Sequence, residues 1–327
     1  MTDLSIIIVN WNSTAYVLEC LESVYARTQE TAFEVIVVDN ASPSGDVGIV
    51  KEKFPNVILI ESTANLGFAG ANNLGFRSST GEYVVFLNPD TVLINPAFDL
   101  MLRQVRSLSN VGAAGCTLLN EDRSVQTSAI QTFPTILNQL LDLDSIRNRY
   151  PACPLWNIAP LLAGGTEPSR VEVISGACVL FRRDVFARIG LFSEEYFMYA
   201  EDLDLCYKSA QAGFTNYYLP EPQIIHYGGR STAVKRRAVV MKWKSILMYI
   251  AKHRGSVYQL AFRMAMASSA LVRMAMLLAA VVISRGSRRN SARNAFYKWW
   301  LIFQTMMTPL ERKQAAEGLT TQGAQGS

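Results

Sequence analysis

The chain has 327 residues, half of them apolar and 18% charged, which excludes a disordered or fibrous protein and allows one large domain with a smaller appendage. Cys20, Cys116, Cys153, Cys178 and Cys206 are dispersed without a CxxC pair, so reduced thiols are expected rather than a disulfide framework or a zinc site. The net charge of +4 conceals a polarised chain: residues 222–310 hold fifteen Lys or Arg and no Asp or Glu, whereas residues 1–221 sum to −11. This predicts an acidic globular part and a basic part that faces something anionic.

Met1-Thr2-Asp3 runs directly into Leu4–Val9 with no basic n-region, so no signal peptide is read and a cytoplasmic location is expected. Apolar runs at Leu4–Val9, Val35–Val38, Val57–Ile60, Tyr83–Leu87 and Val111–Leu119 predict strands buried on both faces. Between them, Tyr16 to Val24 and Ala97 to Leu108 carry apolar residues at helical spacing, the second after a good start at Asn95-Pro96. The alternation predicts right-handed βαβ units, an α/β fold and a mostly parallel sheet. Residues 121–170 carry Pro134, Pro151, Pro154, Pro160 and Pro168 and no clear period, which reads as a surface excursion that contacts substrate or forms a lid. Order resumes at Val171–Phe181, and a helix is expected from about Glu201 to Ala212, closed by Gly213.

Ligands of such sheets collect at the carboxyl ends of the strands, and there the polar residues cluster. The first run ends in Asn10-Trp11-Asn12 and the second in Asp39-Asn40-Ala41-Ser42. The third is followed by Asn65-Leu66-Gly67-Phe68-Ala69-Gly70-Ala71-Asn72-Asn73 and the fourth by Asn88-Pro89-Asp90. A Trp stacks on a base, a carboxylate accepts from a base N–H, Gly-rich backbone approaches phosphates, and an Asp at a tight turn holds a hard cation. Singly each is also an ordinary turn or core residue; four in order within ninety residues point to a nucleotide pocket. No GxGxxG follows the first strand and no GxxxxGK[ST] occurs, so dinucleotide and P-loop readings lose their support. Two later groups complete the set. Glu201, Asp202 and Asp204 open a helix amid aromatics, where carboxylates serve as dipole caps or as a base. His226-Tyr227-Gly228-Gly229-Arg230-Ser231-Thr232 suits a metal ligand beside diphosphate-binding groups.

Taken in order with Ser175-Gly176-Ala177-Cys178, these motifs resemble the family 2 glycosyltransferases of the GT-A, Rossmann-like fold, and most closely their bacterial rhamnosyltransferase branch. The resemblance spans residues 3–235. It implies that Trp11 and Asp39 hold the base, that Asn65, Gly67 and Asn72 line the nucleotide and diphosphate pocket, and that Asp90 and His226 bind Mn²⁺ or Mg²⁺. It further implies that Asp202, within the Glu201-Asp202 motif, is the general base of an inverting transfer, with Arg230 on the diphosphate. Asn88 stands where many members carry a first Asp, which removes one anion from the cation site. The implied donor is dTDP-L-rhamnose; UDP-galactofuranose, UDP-N-acetylglucosamine and a catalytically silent nucleotide-sugar-binding scaffold are the rivals.

The basic C-terminal part is too greasy for nucleic acid. Met264–Ser284 is long enough to span a bilayer, but Arg273 near its middle would cost about 2.5–3.5 kcal/mol on insertion scales. Basic residues flank both sides, which suits helices lying in the interface with Trp243, Trp299 and Trp300 at headgroup depth. The expected organisation is therefore a transferase domain over 1–235, a membrane-associating helical region over 236–310 and a disordered tail over 311–327. The expected partners are a nucleotide sugar, a lipid-linked or cell-surface glycan acceptor and the anionic inner face of the cell membrane, to which the protein binds peripherally.

Overall fold

A computed structural model describes residues 2–142, 144–156, 158–228, 235–283 and 286–309. Arg230 and the tail 311–327 lie outside the described residues. The strands are β1 (Leu4–Asn10), β2 (Phe33–Asp39), β3 (Ile58–Glu61), β4 (Tyr83–Leu87), β5 (Thr91–Leu93), β6 (Val111–Leu119), β7 (Ile130–Gln131), β8 (Ser169–Val171), β9 (Val173–Ile174), β10 (Cys178–Arg182) and β11 (Thr215–His226). Nine form one sheet in the order β3-β2-β1-β4-β10-β6-β11-β5, with β8 added on β11. Six strands point one way and β5, β8 and β10 run against them, so the sheet is mostly parallel, as the alternating pattern predicts. Every residue of β1 and β4 is buried, which is why those strands read as unbroken apolar runs.

The Gly-rich segment after β3 departs from expectation. It is a helix, Gly67–Arg77, with eight of its 11 residues buried. Its small residues serve close packing: a Cβ on Gly75 would sit 2.6 Å from a methyl of Ile7, so the helix lies directly on β1. Gly67 has φ +72°, and a Cβ there would stand 2.5 Å from the carbonyl oxygen of Phe197. The Phe68 N–H donates to that same carbonyl at 2.8 Å, so only glycine lets the helix start against the 197–200 loop. Residues 121–170 are also more ordered than their prolines suggest, with β7 and three short helices, Ile136–Leu141, Asp144–Arg149 and Ala159–Leu162.

The C-terminal helices do not stand apart from the sheet domain. The helix Lys235–Ile283 is broken at Gly255, where φ is +81°. It doubles back there, because Gln259 Nε2 donates to the Leu247 carbonyl at 3.2 Å across twelve residues. Among the described residues, 236–279 is the one stretch long and apolar enough by composition to cross a membrane, but the reversal divides it. Before the reversal, Ile246, Leu247, Tyr249 and Ile250 are buried in the core. Trp243, expected at headgroup depth, is buried there too, with its ring 6.5 Å from that of Phe262. The helix Gly286–Met307 packs on both arms, Tyr297 beneath Arg236 and Trp299 beneath Arg273. Arg273 also donates to the Leu140 carbonyl at 2.6 Å, so the charge that makes a span costly is turned to protein.

Candidate active site

β1 and β2 end side by side in one polar network. Asp39 accepts from Asn10 Nδ2 at 2.8 Å and from the Ser42 N–H at 3.1 Å and hydroxyl at 2.5 Å. Trp11, half-buried, stands at the same rim. Asn40 reaches across to the next strand end: its amide donates to Asn65 Oδ1 at 3.0 Å and accepts from the Leu66 N–H at 2.8 Å. The same Asn65 oxygen accepts from the Gly67 N–H at 3.0 Å. Asn72 is buried and donates into its own helix, to the Phe68 carbonyl at 3.0 Å. The Asn65 oxygen, the Gly67 N–H and the Asn72 N–H₂ are thus engaged with protein. Asn73, which the motif reading left without a role, binds Glu194 and both main-chain groups of Phe192 and ties this helix to the loop before Glu201.

The turn after β4 carries Asn88 and Asp90. Thr91 Oγ1 closes it by donating to the Asn88 carbonyl at 2.7 Å, and β5 pairs Thr91 with His226 on β11. Asp90 is buried, with Oδ1 3.5 Å from His226 Nε2, while Asn88 Nδ2 lies 3.4 Å from the same nitrogen. Gln126 sets the imidazole. Its amide N–H₂ donates to the His226 carbonyl, which turns its oxygen to His226 Nδ1 at 3.1 Å. An amide oxygen only accepts, so Nδ1 carries a proton, and in the neutral imidazole Nε2 is then the acceptor that faces Asp90. Two electron-rich donors facing each other invite a cation, and this donor set fits one. It is short of a full shell: among the described residues no three His, Cys, Asp or Glu side chains group closely enough to hold a metal. Diphosphate and water would complete it, the usual arrangement for Mg²⁺-like ions. A cleft of about 400 Å³, lined by Asn120, Gln126, Ser128 and His226, opens beside the pair.

The second carboxylate group opens the helix Glu201–Gln211. Tyr199 and Ala200 both have positive φ, at 70° and 63°, a conformation that costs about 1–3 kcal/mol per non-glycine residue and aims the next two side chains. Glu201 is buried, and among the described residues its Oε2 has no hydrogen-bond partner. Burial, then repulsion from Asp202, pushes its carboxyl well above the usual range. Asp202 is half-buried, accepting from the Gly176 N–H at 3.1 Å and the Leu203 N–H at 2.8 Å. Burial raises its pKa, and those N–H donors and the Lys242 charge offset part of the rise. Gly176 on one side of this loop touches Asp202, and the next residue's carbonyl, Ala177, accepts from the Asn88 N–H at 2.9 Å. The loop before β10 thus joins the Asp202 group to the Asn88–Asp90 turn.

Asp204 has a different task. It is fully buried and takes donors from Ser193 at 2.6 Å, His253 at 2.6 Å and Lys252 at 3.0 Å. Burial, the largest influence, pushes its pKa up, but these donors together hold it below the ordinary value. It clasps the C-terminal helix to the helix that carries Asp202.

Comparison with known proteins gives the family and the fold. Residues 5–190 match the model of glycosyl transferase family 2. The N-acetylglucosaminyl-diphospho-decaprenol L-rhamnosyltransferase of Mycobacterium tuberculosis is 31% identical over 252 residues, 71% of this chain and 78% of that protein. The rhamnosyltransferase WbbL of Escherichia coli K12 is 24% identical over 261 residues, 76% of this chain and 93% of the relative. Among solved structures, the Pyrobaculum calidifontis mannosyltransferase PcManGT, with GDP-mannose and Mn²⁺, superimposes with a TM-score of 0.59 at 17% identity, over 94% of this chain and 88% of that one. GalNAc-T7 with UDP, GalNAc and Mn²⁺ gives 0.56 at 16% identity, over 76% and 48%. The fold is thus GT-A, the class in which an α/β sheet carries its site on the strand-end rim. The chain belongs to glycosyl transferase family 2, on the side of its rhamnosyltransferases.

Proposed function

We propose that this glycosyltransferase moves L-rhamnose from dTDP-L-rhamnose, with inversion, onto a hydroxyl of a lipid-linked glycan at the inner face of the cell membrane. The observation that carries the reading is the joining of the Asp90–His226 pair to the half-open Asp202 through residues 176 and 177. Asp90 and His226 would hold a divalent cation, which when bound offsets the charge that grows on the departing nucleotide diphosphate. Trp11 and Asp39 would hold the base, and Asp202 takes the proton of the acceptor hydroxyl as it attacks the anomeric carbon. Arg230 remains the candidate for a further diphosphate contact. The rhamnosyltransferase relatives support the sugar, and the lipid-diphosphate substrate in the name of one supports the acceptor class. With Mn²⁺ present, dTDP and dTDP-rhamnose should raise the melting temperature more than UDP, GDP or their sugars, since a ligand stabilises the state that binds it. A preference for UDP-galactofuranose or UDP-N-acetylglucosamine would replace the donor and keep the reaction.

Peripheral attachment rests on composition and exposure. Residues 222–310 lack acidic groups, and Val257, Leu260, Met264, Val272 and Met276 are exposed on the arm after Gly255. Each Lys or Arg near an anionic leaflet is worth on the order of 1 kcal/mol, and an apolar face adds to this. Anionic vesicles should therefore bind the protein, and high salt should release part of it. Equal binding to neutral vesicles would contradict the electrostatic share, and extraction by detergent alone would mean a spanning helix.

A further inference from the structure

The C-terminal hairpin places positive charge against the loop that leads to Asp202. Ser245 donates to the Met198 carbonyl at 2.9 Å, which seats that helix face on the loop leading to Asp202. Lys242 lies one turn earlier on the same face. Among the described residues no hydrogen bond or ion pair reaches its ammonium, although it is close enough to Asp202 to influence that carboxyl. It is exposed, and desolvation, the first cause, holds its pKa below the ordinary lysine value. The charges around it are Asp142, Lys298, Asp202 and Arg147. Asp142 is already matched by Arg147 at 3.6 Å. Lys298 is exposed between Tyr297 and Trp299, whose rings lie under Arg236 and Arg273. Among the described residues Lys242 and Lys298 are left in surplus, on the hairpin whose other arm exposes its apolar side chains.

We propose that Lys242 and Lys298, with Arg147 beside them, bind the diphosphate of the lipid-linked acceptor and so set its sugar against Asp202. This rests on the transferase reading and specifies its acceptor. The donor diphosphate has its own place at Asp90 and His226, on the sheet rim rather than on the C-terminal helices. A lipid diphosphate matches both features of the hairpin: the lysines take the dianion with charge-assisted hydrogen bonds, and the exposed apolar arm keeps company with the chain. Surplus cations beside a base also have a use before the acceptor arrives, since Lys242 restrains the rise in the Asp202 pKa.

Farnesyl diphosphate is a soluble probe of this subsite, titrated into the full chain with and without saturating dTDP and Mn²⁺. Binding should persist when dTDP is present, and farnesol and inorganic pyrophosphate should each bind more weakly. Lys242→Gln and Lys298→Gln should each weaken it about tenfold or more, the worth of a hydrogen bond to a charged group, with dTDP affinity and melting temperature unchanged. Lys242→Arg should restore most of it. Competition by dTDP would assign the anion to the donor site and overturn the proposal, as would unaltered binding in both Gln variants. Pyrophosphate binding as tightly as the prenyl compound would remove the lipid from it. If dTDP binds and farnesyl diphosphate does not, the subsite fails and the transferase reading stands; if Lys242-dependent farnesyl binding occurs without any nucleotide binding, the reverse holds.

Discussion

Asp202→Asn is expected to retain donor affinity and lose about 10²–10⁴-fold in turnover, the usual worth of a positioned general base. The amide keeps the shape, but its one oxygen can accept from either the Gly176 or the Leu203 N–H and not both, since these bind different oxygens of Asp202, so a small drop in melting temperature should accompany the loss of proton transfer. The pH profile supplies an independent check. A base works only when ionised, so activity should rise with pH through the Asp202 pKa. Burial raises that pKa, so the acid limb should lie above the ordinary aspartate value of about 3.9. Stability should move the other way in that window. Glu201 and Asp202 bind protons more tightly folded than unfolded, so their contribution falls as pH rises from the ordinary carboxylate range through their raised values. Asp204, held below its ordinary value, adds stability that is lost only as pH falls. Turnover near wild type in Asp202→Asn would move the base elsewhere, with Glu201 a weak successor because it is buried.

The strands of the parallel half were legible because burial on both faces writes itself as unbroken apolar runs, and the helices Ala97–Ser107 and Glu201–Gln211 fell where spacing placed them. The helix Gly67–Arg77 was hidden by its own solution to close packing: glycine and alanine weaken the helical signal while allowing contact with β1. The rim was legible as polar residues after apolar runs, but their division of labour was not. Asn65 and Asn72 look like ligand contacts in sequence, and the fold engages the Asn65 oxygen and the Asn72 N–H₂ with protein. Gln126 lies in a stretch without period, one hundred residues from the His226 it orients, and no spacing signals that pairing. The two histidines differ in the same way: His253 reads as an isolated basic residue, and only the fold brings it to Asp204. That clasp is also why truncation before Lys252 would strip the helix that carries Asp202 of partners to its buried Asp204.

Asp90→Ala and His226→Ala should each weaken the metal-dependent part of nucleotide binding by at least about 10²-fold. Loss of outer-shell partners of a metal site alone commonly costs 10–100-fold, and on the proposed reading Asp90 and His226 would, among the described residues, hold the cation directly. Asn88 contributes no charge, so neither remaining ligand can take over the cation. His253→Gln offers the contrast, since it alters the Asp204 clasp and leaves the rim intact. The most direct measurement is a calorimetric titration of dTDP into wild type and these three variants, with Mn²⁺ and with EDTA. The account predicts tight binding by wild type and His253→Gln in Mn²⁺, and weak binding by Asp90→Ala, His226→Ala and every protein in EDTA. Tight binding in EDTA, or equal affinity in all four proteins with Mn²⁺, would contradict it.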